Sequence, residues 1–385
     1  MKVLHLIDSG GLYGAEKMLL ALVAEQNAMG VEATICSVGL PGENEKAIEY
    51  EANKAGLPLK PWRMQSGLNL KGALGIELWA LQEGYTLLHS HGYKFNILWM
   101  LLRKRKKQLP FLVTVHGYVK AARFKKMWLY EKLDHYALKQ SDQVCVVSKP
   151  MLMHPYLKGI CLSKVSCIPN GISNSNSEQT LGLDADLFRS KFSYCFCAVG
   201  RLSSEKGFMD LILAFEKLLT LNPLTNETVG LVIFGEGGLK EPLRLLINQR
   251  QLQKNILLAG YQKNVGSTLR MFHGLVISSI TEGLPITLLE AMNARCPVIS
   301  TKVGGIPSVV TNNSAYLCDV GNLEQIANAM YSVMKDSQLA KRKASVAYQY
   351  LISHYTAKEM ATRYLRCYEQ TIRTFEAENN IEQAY

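Results

Sequence analysis

The chain has 385 residues, 48% of them hydrophobic, and carries a formal net charge of +11 at pH 7. That length buries a large core and gives a prior of about two domains. No apolar run approaches the roughly 18 residues that cross a bilayer, and nine cysteines without a CxxC pair argue against a disulfide framework or a metal site, so the expectation is a cytosolic protein with reduced thiols.

The first segment, "KVLHLID", is a buried strand, and Asp8 comes too soon for a secretory signal. "SGGLYGAEK" (9–17) then sets Gly10, Gly11 and Gly14 between that strand and the helix "GAEKMLLALVAEQNAM". A glycine turn of this kind lets the backbone meet a phosphate, or is simply a tight connection. "VEATICSVG", a helix around 44–55, "LLHS" and "KFNILWMLLRK" follow. His89 and His91 form an HxH pair, but no carboxylate or cysteine spacing completes a ligand set, so no metal is expected. "FLVTV" (111–115) ends just before His116, which places that imidazole past a strand end; a structural role is the alternative. A helix ending near Lys139 leads to the strand "QVCVVS" (143–148).

Positive charge is concentrated in this region. From Lys94 to Lys149 there are thirteen Lys and Arg against three acids, nearly the whole excess of the chain. Arg103, Lys104, Arg105, Lys106 and Lys107 form one run; Arg123, Lys125 and Lys126 lie beside Trp128. A basic amphipathic helix with an aromatic residue suits an anionic membrane surface, and a solvated helix face is the alternative. No nucleic-acid-binding motif accompanies the charge, so nucleic acid is not an expected partner.

"PNGISNSNSEQTLGLDAD" (169–186) is polar and reads as a linker. "LDAD" (183–186) imitates an Asp-x-Asp metal motif but lies in that linker, and is read as a decoy. The strand-turn-helix pattern then restarts with "YCFCAVG", where Cys195 and Cys197 alternate into a core. In "AVGRLSSEKGFMDLILAF" (198–215) the strand ends at Gly200, and Arg201 and Lys206 precede a helix. Two cations at a helix N-terminus make an anion site, or a solvated loop that happens to carry them. "VIFGEGGLKEPL" (232–243) opens a helix with Gly235, Gly237 and Gly238, a spacing short of the full dinucleotide fingerprint. After "NILLAG" and "GLVISSI" comes "ITEGLPITLLEAM" (280–292). Gly283 and Pro285 argue that Glu282 precedes the helix, with Pro285 in its first turn and Glu290 about a turn and a half inside. The N–H groups of Gly283 and Leu284 suit a phosphate, and Glu290 suits vicinal sugar hydroxyls. The alternative makes Glu282 a helix cap and Glu290 a paired buried acid.

β-branched strands alternating with amphipathic helices indicate two doubly wound parallel α/β halves. Ligands in such sheets bind beyond the carboxyl ends of the strands, so a cleft between the halves is the expected site.

In their order, "GGLYGAE", "HSHG", "TVHG", "PNGI", "VGRLSSEKG", "FGEG" and Glu282-x7-Glu290, followed by "PVIST" and "GGIPSVV", resemble the retaining nucleotide-sugar glycosyltransferases of the GT-B fold, glycosyltransferase family 4 (group 1). The resemblance covers nearly the whole chain. It implies two Rossmann-like domains, residues 1–172 with about 355–385 crossing back, and residues 173–354. It implies that Arg201 and Lys206 grip the donor diphosphate, that Glu290 binds the ribose, that Glu282 lies beside the donor hexose, and that Gly283, Leu284 and Pro285 wrap sugar and phosphates. By the same likeness His116 lies near the transferred sugar and Gly14 (or Gly11) near the phosphates, with base contacts near Gly260 and Tyr261. The implied chemistry is metal-independent, cofactor-free retaining transfer of a hexose from a nucleotide sugar, with uridine as the base, to a glycan or lipid-linked acceptor in bacterial surface polysaccharide assembly. Rival readings are a sugar-nucleotide hydrolase or epimerase on the same fold, or a non-catalytic nucleotide- or glycan-binding module. Base, sugar, acceptor, linkage and oligomeric state stay open.

Overall fold

The computed structural model describes residues 1–103, 108–117, 126–173, 180–221, 228–263 and 265–383. The chain forms two compact units, Met1–Ser173 with Thr356–Tyr385, and Asn174–Tyr355. Most of the basic block (Lys104–Lys107, Arg123, Lys125, and the side chains of Arg103 and Lys126) lies outside the described residues. Trp128 is described, with Lys132 Nζ 5.9 Å from its ring centre. Among the described residues no helix is long and apolar enough to cross a membrane.

The amino-terminal unit holds seven strands: β1 (Lys2–Ile7), β2 (Glu32–Gly39), β3 (Leu59–Arg63), β4 (Leu87–Ser90), β5 (Phe111–Val115), β6 (Gln143–Val146) and β7 (Val165–Cys167). They pair in the order β3-β2-β1-β4-β5-β6-β7, all parallel. β4, β5 and β6 are buried at every residue, as strands covered on both faces require. The neighbouring pair β1 and β4 is the place where the winding reverses, and their register sets His5 opposite His89. The chain returns to this unit at Thr356. Ala357 N donates to Ile172 O at 2.9 Å, and a side chain at Gly171 would collide with Thr356 O. The helix Ala357–Gln383 then supplies Tyr364, Tyr368 and Cys367 to the unit's interior.

The carboxy-terminal unit holds β8 (Tyr194–Val199), β9 (Val229–Phe234), β10 (Ile256–Gly260), β11 (Gly274–Ile277), β12 (Val298–Thr301) and β13 (Tyr316–Cys318), ordered β10-β9-β8-β11-β12-β13 and parallel. The helix Phe208–Leu221 buries Leu211, Ile212, Phe215, Leu218 and Leu219, the stripe that a 3.6-residue period turns to one side. Each such side chain contributes about 1.5–3 kcal/mol. Both units thus share the 3-2-1-4-5-6 order, the amino-terminal one with a seventh strand added beside the sixth, and sheets of this kind bind ligands beside the reversal, beyond the strand ends.

Two local expectations change. The segment read as linker extends only partly: Leu183–Arg189 is a helix, where Asp186 pairs with Arg189 at 3.1 Å and Ala185 and Phe188 are buried. The apolar residues in "LDADLF" fall at helical spacing, and the short polar run before them masked it. Pro285 is the N-cap rather than part of the first turn; its ψ of 128° is extended, and the helix runs Ile286–Asn293.

Candidate functional site

In the carboxy-terminal unit the reversal lies between β8 and β11, and the loops that leave those two strands carry the expected residues. After Val199 come Gly200, Arg201 and a single turn Ser204–Lys206. Gly207 ends that turn with φ +63°, and a Cβ there would collide with Ser278 O, so the loop closes against β11 only through glycine. Ser278 Oγ donates to Lys206 O at 2.9 Å and Ile280 N to Glu205 O at 2.8 Å. These bonds bring Lys206 to the mouth of β11. Lys206 Nζ donates to Glu282 Oε1 at 2.6 Å, and Ser279 Oγ donates to the same oxygen at 2.6 Å.

Arg201 is more open, its side chain 55% exposed, and its Nη2 meets Glu205 Oε1 at 3.1 Å. Burial pushes the Glu205 carboxyl up, but the Ser203 hydroxyl, its own backbone amide and the Arg201 guanidinium together hold it below its usual value. Glu205 was not among the expected residues. Its signal was its place between the two cations, where a carboxylate can orient the guanidinium without burying it.

Gly200, Gly235 and Gly260 end three adjacent strands. Gly235 N donates to Gly260 O at 2.8 Å, and a side chain at Gly235 would collide with Gly200 O. Tyr261 follows with its ring half exposed. Glu282 O and Gly283 O lie against Gly304, whose φ is +52°, and Gly305 N donates to Gly283 O at 2.6 Å. This contact holds the Glu282–Pro285 loop from behind. Leu284 is buried. Glu290, the fifth residue of its helix, is half-buried with its carboxyl group over Gly266, where a Cβ would lie within 2.6 Å of Glu290 Cδ. The unit therefore sets Arg201, Lys206, Glu282 and the three strand-end glycines beyond the carboxyl ends of its strands, with Glu290 in the helix that follows Glu282. Two cations and two carboxylates there can hold an anion together with hydroxyl groups.

His116 belongs to the other unit, just past β5. It joins a buried network that the HxH spacing alone did not reveal. His5 Nδ1 lies 3.0 Å from His91 Nε2, and His91 Nδ1 lies 3.2 Å from His116 Nε2. His5 Nε2 meets Gln26 Oε1 at 2.8 Å, and Gln26 Nε2 donates to Tyr368 OH at 3.0 Å. Tyr368 OH lies 2.7 Å from His89 Nδ1, and His89 Nε2 lies 2.7 Å from Thr114 Oγ1. Burial lowers all four imidazoles: His5 and His116 fall to about 4, and His89 and His91 lie well below their usual value. The third imidazole missing from the HxH pattern is His5 of β1, close enough to His89 and His91 for the three to surround an ion. All six of their ring nitrogens are already hydrogen-bonded, so an ion held by the three would have to displace a hydrogen bond at each ring.

Gly11 sits between β1 and the helix Gly14–Ala28, and Gly14 is the first residue of that helix. That helix end already carries a carboxylate: Glu16 accepts from Tyr13 N at 2.9 Å and from Ser9 Oγ at 2.8 Å. Beside it, a cavity of about 940 Å³ lies at the ends of β1 and β2, lined by Asp8, Lys46, Tyr93, Lys94 and Tyr130 among others. Lys94 Nζ and Lys46 Nζ bracket the Asp8 carboxylate at 2.7 and 3.3 Å.

Known proteins align with both units. A family described as Glycosyltransferase Family 4 matches residues 13–175, and one described as Glycosyl transferases group 1 matches residues 185–350. The chain is 26% identical over 293 residues to the Escherichia coli protein named UDP-Gal:alpha-D-GlcNAc-diphosphoundecaprenol alpha-1,3-galactosyltransferase, covering 70% of this chain and 72% of that one. It is 23% identical over 304 residues to the Bacillus anthracis N-acetyl-alpha-D-glucosaminyl L-malate synthase, covering 76% and 77%. The crystal structure of Anabaena HepE with UDP and glucose shares the fold, with a TM-score of 0.80 and 17% identity over 96% of this chain and 100% of that one.

Proposed function

The chain belongs to the family 4, group 1 glycosyltransferases of the GT-B fold, enzymes that use nucleotide sugars, and on that premise we propose that it moves a hexose or N-acetylhexosamine from a UDP-sugar to a glycan or lipid-linked glycan, with retention and without a metal ion. The observation that supports this reading is that Arg201 and Lys206 lie on the loop leaving β8, with Lys206 paired to Glu282 on the loop leaving β11, the two strands at the sheet reversal. When the sugar–phosphate bond breaks, negative charge grows on the departing diphosphate. Fixed cations at a helix N-terminus stabilise that charge with no reorganisation. Glu290 accepts from the ribose diol, and Glu282, held by Lys206 and Ser279, accepts from hexose hydroxyls. His116 contributes a neutral imidazole near the transferred sugar. Retention is proposed from the likeness to the retaining members of this family, and a dissociative displacement on the face from which the diphosphate departs would deliver it.

UDP as the nucleotide is supported by the UDP named in the HepE structure and in the E. coli relative. A lipid-linked acceptor is supported by the diphosphoundecaprenol in that relative's name. Asp8, Lys46, Lys94, Tyr93 and Tyr130 suit the acceptor: carboxylate and ammonium groups pair with hydroxyls, and the tyrosine rings cover sugar faces. The basic block at 103–126 would hold the protein on an anionic cytoplasmic membrane surface, and bacterial surface polysaccharide assembly is the setting that fits. Thermal unfolding with a panel of nucleoside diphosphates, followed by product analysis, tests the reading. UDP should raise the melting temperature most, the product should keep the donor's anomeric configuration, and EDTA should leave the rate unchanged. Inverted product, or EDTA-sensitive transfer, would remove retention or metal independence respectively.

A further inference from the structure

The histidines of the amino-terminal unit form a hydrogen-bonded series in which each partner dictates the next. Gln26 Nε2 donates to Tyr368 OH, so the other end of the amide, Oε1, faces His5 Nε2. An amide oxygen only accepts, and His5 therefore carries its proton on Nε2. A neutral imidazole has one donor and one acceptor nitrogen, so His5 Nδ1 accepts from His91 Nε2. By the same rule His91 Nδ1 accepts from His116 Nε2. The series ends in a lone pair on His116 Nδ1, a buried atom with no hydrogen-bond partner among the described residues. A half turn of the Gln26 amide would reverse every one of these bonds and present an N–H there instead. Gln26 is itself 1% exposed, and the buried residues nearest to it along its helix, Leu19, Leu22 and Val23, are apolar. A buried amide among apolar neighbours is costly unless its hydrogen bonds are made.

We infer that Gln26 is a positioning residue that acts on His116 through His5 and His91, holding it in the Nε2–H form so that Nδ1 is offered as a hydrogen-bond acceptor. The ligand group opposite His116 is then a donor, a sugar hydroxyl or the N–H of an acylamino sugar, and a phosphate oxygen is refused. This inference rests on the proposed contact of His116 with the transferred sugar. Tyr368 is the second positioning residue: with its proton given to His89 Nδ1, its hydroxyl is left to accept from Gln26 Nε2 and so fixes the amide.

Selective ¹⁵N-histidine labelling of the full chain, read by long-range proton–nitrogen spectra near neutral pH, shows which ring nitrogen carries the proton, with His116→Asn assigning the signals. Wild-type His116 is expected in the Nε2–H form. Gln26→Met keeps the bulk and removes the amide, so both forms should appear at His116, with a drop of about tenfold in kcat/KM and unchanged UDP affinity. Tyr368→Phe frees the amide to turn and should shift His116 the same way to a smaller extent, which keeps the test decisive if Gln26→Met does not fold. An Nδ1–H His116 in the wild type, or an unmoved Nε2–H form in the variants, overturns the inference. Spectra that shift as expected alongside full transfer by His116→Ala would leave the relay in place and remove the sugar contact instead.

Discussion

Lys206 Nζ lies 2.6 Å from Glu282 Oε1, with the two side chains only 22% and 10% exposed. One ion pair thereby ties the loop leaving β8 to the loop leaving β11. Removing one partner of a shielded pair leaves the other charge uncompensated, so the lysine fixes the position of Glu282 and, on the proposed function, would also serve the leaving group.

Lys206→Ala is expected to lower kcat by about 10²–10³-fold and to lower the melting temperature as well. Arg201→Ala should lose kcat on a similar scale with a smaller loss of stability than Lys206→Ala, because the guanidinium itself is 55% exposed although Glu205 beside it is only 13% exposed. Steady-state kinetics beside thermal unfolding separates the two. Full transfer by either variant would refute the electrostatic role.

Gly266→Ala should raise the donor KM by about 10–100-fold, the equivalent of losing a charge-assisted hydrogen bond of about 1.5–3 kcal/mol. The added methyl occupies the place of the Glu290 carboxyl group. Titration with UDP measures the loss directly, and an unchanged affinity would detach Glu290 from the nucleotide.

Acid should unfold the amino-terminal unit early. His5 is neutral in the fold until about pH 4, while an unfolded histidine takes up its proton near 6.5, and His89 and His91 behave alike. The unfolded chain binds more protons between those values, so stability rises with pH across that window and is lost as pH falls below 6.5. Each fully shifted histidine adds a slope of about 1.4 kcal/mol per pH unit. Asp134 opposes them: burial raises its carboxyl to about 6, so the fold holds that proton more tightly. With His116, also lowered to about 4, four histidines stand against one aspartate and leave the net sign positive. Urea midpoints measured across the window should fall on acidification, and His5→Gln should flatten the curve.

Cosedimentation with anionic vesicles at low salt is expected, and replacing Lys104, Arg105, Lys106 and Lys107 with Ala should abolish it. Each cation near such a surface contributes about 1 kcal/mol, and added salt screens it. Equal pelleting of the variant would sink the membrane role of this block.

Much of the fold was legible because fully buried strands such as "FLVTV" and "GLVIFG" read as continuous apolar runs between turns. The short edge strands β3 and β7 were not, since "LKPWR" and "VSC" are only half-buried and carry no such run. At the site, Arg201, Lys206, Glu282 and Glu290 stood out as charges set in strand-end motifs. Glu205, Ser279 and Gly266 did not, because their work is to hold another side chain. His5, Gln26 and Tyr368 were invisible for a different reason: they lie at positions 5, 26 and 368, and only the parallel pairing of β1 with β4 and the return of the last helix make them neighbours.

That return has a consequence for synthesis. By the time residue 355 is made, every strand of both sheets exists, yet Gln26 and His89 still lack Tyr368, and Thr114 lacks Tyr364. The half of the protein that leaves the ribosome first is therefore the half that matures last, waiting on a helix that begins 190 codons after its own final strand ends, at Ala357 against Cys167.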